Sequence, residues 1–227
     1  MLNLVFKKYN SKIAIEAESG KITYSQLKIK LLSLIEFFKK KKLKKGDRVA
    51  VLLPNSPEFI YCYLACMIGG YVIIPINHKL SFKEKNFFLS RTEPKVIIKR
   101  KEDLNFIKNK KNYLTSFNPN KLMGIFLTSG TTNVPKGICH NSRSLIENAL
   151  SFNKHNSLNS DTRFYHLFPM SYMAGFLNSV LSPILCGGTI IIDNVFSAIT
   201  AINFWKIIKE KKINLIWSNP TMIKAIL

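Results

Sequence analysis

The feature that most constrains this chain is an alternation of short apolar runs with amphipathic stretches, repeated along its length. Residues 48–53 (RVAVLL) form an apolar run bounded by Pro54, the pattern of a parallel strand buried on both faces. Ahead of it, Leu27, Leu31, Leu34, Ile35 and Phe38 recur at helical spacing behind the capping box Thr23-x-x-Gln26. This predicts one amphipathic helix within residues 22–47, ending in a lysine run before the turn at Gly46-Asp47. Behind the strand, Pro57 suits the first turn of a helix that runs through Glu58, Tyr61, Leu64 and Ile68 and stops at Gly69-Gly70. The alternation continues with strand 71–74, helix 81–90, strand 95–98, a weaker helix near 102–110 and a polar connector at 111–120. Strands at 122–127 and 138–140 then flank a loop, and a helix opens on the box Ser144-x-x-Glu147. Strand 163–168, helix 173–185, strand 189–192, helix 197–211 and strand 213–217 follow. Such alternation calls for an α/β fold of parallel-rich sheets flanked by helices, with a first half over 1–120 and a second over 121–227.

At 227 residues and 47% hydrophobic composition, a core can form without disulfides or a structural metal. The cysteines Cys62, Cys66, Cys139 and Cys186 make no CxxC pair and have no histidine partner at zinc spacing, so they read as reduced thiols of a cytoplasmic protein. The opening MLNLVFKKYNSK lacks the layout of a signal peptide. Residues 59–76 and 164–192 carry no Asp, Glu, Lys or Arg, but Gly69-Gly70 and Pro75 interrupt the first and His166, Asn178, Pro183 and Gly187-Gly188 the second. Each predicts a buried helix followed by a buried strand rather than a transmembrane span. The net charge of +21 comes mostly from lysines spread along the chain. Lys, Asn, Ile and Phe all have A/T-rich codons, so codon bias accounts for the charge and no nucleic-acid partner is expected. The lysines at 39–42, 44 and 45 read as a solvated helix end.

The most informative segment is TSGTTNVPKG at 128–137. Hydroxyl side chains around one glycine, followed by Pro135-Lys136-Gly137, offer donors and a positive charge to phosphate oxygens. The segment is not a Walker A loop, because Pro135 stands at its second glycine and Gly137 at its Ser/Thr. On composition alone, a phosphate cradle and an ordinary polar turn between strands both fit. Elsewhere chemistry-bearing residues are scattered. His78, His140, His155 and His166 have no partner at metal or triad spacing, and Cys62 and Cys66 share a helix face as core residues.

The order of residues in TSGTTNVPKG resembles the signature loop of the acyl-adenylate-forming superfamily, which includes acyl-CoA synthetases and peptide-synthetase adenylation domains. The resemblance extends over ITYSQL (22–27), GDRVAVLLPNSPEF (46–59), GGYV (69–72), PIN (75–77), PKVII (94–98), FPMSYMAG (168–175), Gly187-Gly188-Thr189 with Phe196, and the stretch from Asn214 to Met222. Two positions depart from the pattern: Asn133 replaces a usual glycine, and Tyr172 stands where acyl-CoA synthetases often have histidine. The family's GYGxTE and YxTGD motifs, which supply a magnesium-binding Glu and a ribose-binding Asp, have no counterpart here. Neither does its C-terminal domain with the catalytic lysine.

The resemblance implies the N-terminal part of an ATP- and Mg2+-dependent ligase that joins a carboxylic acid, such as a fatty acid, to AMP and passes the acyl group to coenzyme A. It implies that Thr128, Ser129, Gly130, Thr131, Thr132, Lys136 and Gly137 bind the nucleotide phosphates, with Thr132 and Lys136 the catalytic members. Tyr172, Met173 and Gly175 would line the acyl site, and no residue of this chain is assigned to a metal. The expectation is a chain inactive alone, completed by a complementary C-terminal chain and exposing an apolar face without one. A non-catalytic nucleotide-binding remnant and an adenylation domain loading a carrier protein are the alternatives.

Overall fold

In a computed structural model, residues 2–107, 118–128, 136–193 and 195–227 are described. The elements run α1 (Leu2–Lys8), β1 (Ile13–Ala17), β2 (Gly20–Thr23), α2 (Tyr24–Lys40), β3 (Arg48–Val51), α3 (Pro57–Gly69), β4 (Val72–Pro75), α4 (Phe82–Thr92) and β5 (Val96–Ile98). After these come β6 (Leu122–Thr128), β7 (Lys136–Asn141), α5 (Ser142–His155), β8 (Arg163–His166), α6 (Met173–Phe176), α7 (Ser182–Cys186), β9 (Thr189–Ile192), α8 (Ala198–Ile202), α9 (Phe204–Glu210), β10 (Leu215–Ile216) and α10 (Pro220–Ile226).

The residues group into two compact units, neither of them a continuous segment. One comprises 1–27, 147–169 and 174–227, the other 28–146 and 170–173. The first holds a sheet ordered β10-β8-β9-β1-β2, parallel except for the β1–β2 hairpin. The second holds a sheet ordered β5-β3-β4-β6-β7, parallel except for the β6–β7 pair. Both are the parallel-rich sheets expected from the alternation. Their inner strands β4 (VIIP) and β9 (TIII) are buried at every residue, which is why they read as unbroken apolar runs.

In the second unit the helix α3 is buried from Pro57 to Ile68 except at Glu58. Ser56 caps it, its Oγ accepting the Phe59 N–H at 3.3 Å, and Gly70 at φ +75° closes it in the left-handed region that favours glycine. This all-round burial, followed directly by β4, explains the charge-free stretch 59–76. Among the described residues no helix is long and apolar enough to cross a membrane. Opposite, Ala50, Leu52, Ile74 and Ile76 pack against Phe88 of α4. Ser81 and Glu84 form the capping box that starts α4.

Several expected elements are modified. The helix expected over 173–185 is α6 and α7 joined by a π-helical turn at Leu177–Leu181. Pro183 has no N–H for the preceding turn, and the Ser182 N–H bonds to the Leu177 carbonyl instead. The helix expected over 197–211 breaks at Asn203 into α8 and α9. The helix near 102–110 reduces to a single turn, Lys101–Asp103, within the described residues. Asp103 Oδ2 accepts the N–H groups of Lys99 and Arg100, holding the chain in a tight turn. The helix expected to start at Ser144 starts at Ser142, because Asn141 Oδ1 accepts the Ser144 N–H at 2.8 Å. The sequence reading assigned nothing to α1, β1, β2 or α10, and the connector expected at 111–120 lies mostly outside the described residues.

In the first unit, Glu16 on β1 is 7% exposed and sits among cations. Arg163 Nη2 lies 2.9 Å from its Oε2, Lys211 Nζ 3.6 Å from Oε1 and Lys21 Nζ 3.9 Å from Oε2. Burial raises its pKa, but the Arg163 hydrogen bond and the three positive charges outweigh that and hold the carboxyl below the ordinary range. Ile199 and Ile202 of α8, Trp205 of α9 and Ile223 of α10 are exposed on this unit.

Candidate active site

The segment 128–137 spans the neck of the β6–β7 hairpin. Thr128 pairs with Lys136 in antiparallel register, with Thr128 Oγ1 3.4 Å from the Lys136 carbonyl oxygen. Both residues are exposed at the end of the paired strands. Gly137 follows because the strands are close: a Cβ there would lie 2.8 Å from Ile125 Cγ2. Ser129, Gly130, Thr131, Thr132 and Asn133 lie outside the described residues. The strand expected after the loop is present as β7.

Thr128 also lines a cavity of about 420 Å³ at the C-terminal ends of β4 and β6, where parallel α/β sheets characteristically bind ligands. Pro75 and Asn77 follow from β4, Phe126 and Leu127 from β6, and Glu84 and Phe88 face it from α4. Ser171, Tyr172 and Met173 complete it. Met170 fixes this last segment through both of its backbone groups. Its N–H donates to Asn55 Oδ1 at 2.7 Å, and its carbonyl accepts the Tyr63 hydroxyl at 2.6 Å. Tyr63 is fully buried in α3, so the segment is tied to a buried helix. Tyr172 is half exposed, its hydroxyl 3.5 Å from Asn77 Nδ2.

Tyr172 and Met173 line the same cavity as Thr128. Gly175 does not line the cavity; it is buried in α6 and its carbonyl accepts the Nε2–H of His166 at 2.7 Å. His166 is wholly buried, which lowers its pKa to about 4 against the opposing effect of that hydrogen bond. Burial likewise lowers His140, and with the charges of Lys79 and Lys85 it lowers His78. Burial pushes the Cys62 and Cys66 thiols up, as suits packing residues. Among the described residues no three His, Cys, Asp or Glu side chains gather as metal ligands. The sequence reading missed Asn55, Tyr63, Leu80, Glu84, Phe88 and Phe126 as parts of the site. Only Asn55 had a local signal, lying inside GDRVAVLLPNSPEF.

The family model described as AMP-binding enzyme matches residues 4–227. The chain belongs to the AMP-binding enzyme family. Within that family it is 25% identical over 233 residues to a 2-succinylbenzoate–CoA ligase of Bacillus pumilus, covering 95% of this chain and 47% of the relative. It is 25% identical over 223 residues to a feruloyl-CoA synthase of an Amycolatopsis species, covering 90% and 45%. The fold matches that of ATP-bound MatB from Rhodopseudomonas palustris with a TM-score of 0.85 at 20% identity, over 99% of this chain and 50% of that one. This AMP-binding enzyme chain thus spans about half the length of the curated relatives it matches.

Proposed function

We propose that the chain is the N-terminal part of an ATP-dependent carboxylate–CoA ligase and supplies its phosphate-binding and acyl-binding sides. The observation that carries the reading is Thr128, which belongs at once to the hairpin neck beside Lys136 and to the wall of the cavity bearing Tyr172. A nucleotide whose β- and γ-phosphates meet Thr128, Lys136 and the loop 129–132 would place its α-phosphorus toward a carboxylate held at the Thr128–Tyr172 end. The carboxylate oxygen attacks the α-phosphorus and pyrophosphate leaves; the thiol sulfur of coenzyme A, giving up its proton, then attacks the acyl carbon of the acyl-AMP and AMP leaves. The work of this chain is to position the reactants and neutralise phosphate charge. The names of the CoA-ligase relatives support the reaction class. Mg2+ would accompany the nucleotide, and no residue of this chain is assigned to it. In this reading the chain is cytoplasmic and completes the reaction only with the family's remaining motifs, in one polypeptide or from a complementary chain.

Titration calorimetry of the chain with ATP tests the reading. Saturable binding that Lys136→Ala weakens and Lys136→Arg largely restores supports it, and an intact chain without affinity for ATP overturns it.

A further inference from the structure

One wall of the cavity, taken as the acyl site just proposed, is a segment with no regular structure of its own. Residues 170–172 lie in no helix or strand, and α6 starts only at Met173, so the backbone here must find partners among side chains. Residues 170–173 group with the second unit, whereas 147–169 and 174–227 group with the first. Two side chains of the second unit meet Met170: Asn55 Oδ1 accepts its N–H at 2.7 Å, and the Tyr63 hydroxyl donates to its carbonyl at 2.6 Å. Neither belongs to the described residues that line the cavity. Both are themselves anchored. The Tyr63 ring lies nearly parallel to those of Phe59 at 5.2 Å and Phe126 at 6.2 Å, and Phe126 is on the cavity wall. Asn55 directly precedes Ser56, the N-cap of α3, so the start of that helix sets the place of its amide. Two bonds to the opposite backbone groups of one residue fix both the position and the direction of the chain that brings Ser171, Tyr172 and Met173 to the cavity.

We propose that Asn55 is a positioning residue of the acyl site, which acts through the Met170 N–H to hold Tyr172 and Met173 where the acid binds. This rests on the reading of the cavity as the acyl site.

Titration of the intact chain with ATP and with hydrocinnamate as the probe acid tests it, read beside the methionine methyl NMR signals of Met173 and of Met67, which is buried in α3. Asn55→Ala should move the Met173 signal, leave that of Met67 in place and weaken hydrocinnamate about tenfold, the scale of one lost hydrogen bond. ATP affinity should change by less than about twofold. Asn55→Ser, whose side chain is one bond shorter, gives the same reading should the alanine variant not fold. Asn55→Asp keeps an acceptor oxygen and should hold hydrocinnamate affinity within about threefold of the unaltered chain. Because Asn55 and Tyr63 act on one residue, combining Asn55→Ala with Tyr63→Phe should weaken hydrocinnamate by less than the product of the two single losses. An unmoved Met173 signal, equal losses for ATP and hydrocinnamate, an Asn55→Asp chain as weak as Asn55→Ala, or single losses that simply multiply overturns the inference. Binding of ATP without hydrocinnamate by the unaltered chain overturns it while leaving the nucleotide reading standing, and binding of neither overturns both.

Discussion

Thr128 and Lys136 face each other across the neck of the β6–β7 hairpin, with Thr128 Oγ1 3.4 Å from the Lys136 carbonyl. The pairing fixes the ammonium-bearing residue beside the cavity edge, whatever path the intervening residues take. Lys136→Ala is expected to weaken ATP binding about tenfold or more, because a charge-assisted contact to phosphate contributes roughly 1.5–3 kcal/mol. Calorimetry reads the affinity and circular dichroism checks the fold. Unchanged affinity in a folded variant would remove Lys136 from the site.

Tyr63→Phe deletes the hydroxyl that meets the Met170 carbonyl at 2.6 Å in a buried setting. Leaving that carbonyl short of a donor should cost about 1–3 kcal/mol in urea unfolding. The variant should also loosen the segment carrying Tyr172 and Met173, so binding of a carboxylic acid in that cavity should weaken more than ATP binding does. Equal losses for both ligands would argue for general destabilisation.

Stability should depend on His166 at mildly acidic pH. The imidazole titrates near 4 when folded against 6.5 ordinarily, so the unfolded chain binds more protons between these values. Its contribution is complete above about pH 6.5 and declines as pH falls to about 4, a total on the order of 3 kcal/mol. Urea unfolding at stepped pH, compared with His166→Gln, isolates the effect: the variant should show a shallower decline over that window. Parallel curves would contradict it.

Glu16→Gln should destabilise by about 2 kcal/mol, less than for a fully dry ion pair because the lysines around it reach solvent. Lys21→Ala, at the 3.9 Å rim of the cluster, should cost under about 1 kcal/mol. Since the Glu16 carboxyl is held below its usual value of 4.5, its contribution is present above that pH and lost as pH falls below it, a lower window than that of His166. Thermal unfolding of the two variants at neutral pH checks the ranking.

The strands β3, β4 and β9 were legible in sequence because parallel strands buried on both faces leave unbroken apolar runs, and Pro57 and Gly69-Gly70 marked the ends of α3. The interruptions were not legible. The π-helical turn before Pro183 follows from one missing N–H, yet the apolar periodicity around it continues as if the helix were regular. Leu2–Lys8 and the β1–β2 hairpin were passed over because they are short, and what holds the hairpin is pairing with a distant strand, Ile15 of β1 lying beside Ile190 of β9.

The sequence by itself determined the family, the parallel α/β class and the position of the phosphate-type loop, because those depend on residue order and local periodicity. Tertiary structure alone decided which residues share the cavity. Asn55 and Tyr63 reach Met170, and Glu84 and Phe126 come to line one cavity with residues 171–173, only in the folded chain. Such contacts join residues up to 115 positions apart, and no local pattern encodes a distance that only the folded sheet and helices bring about.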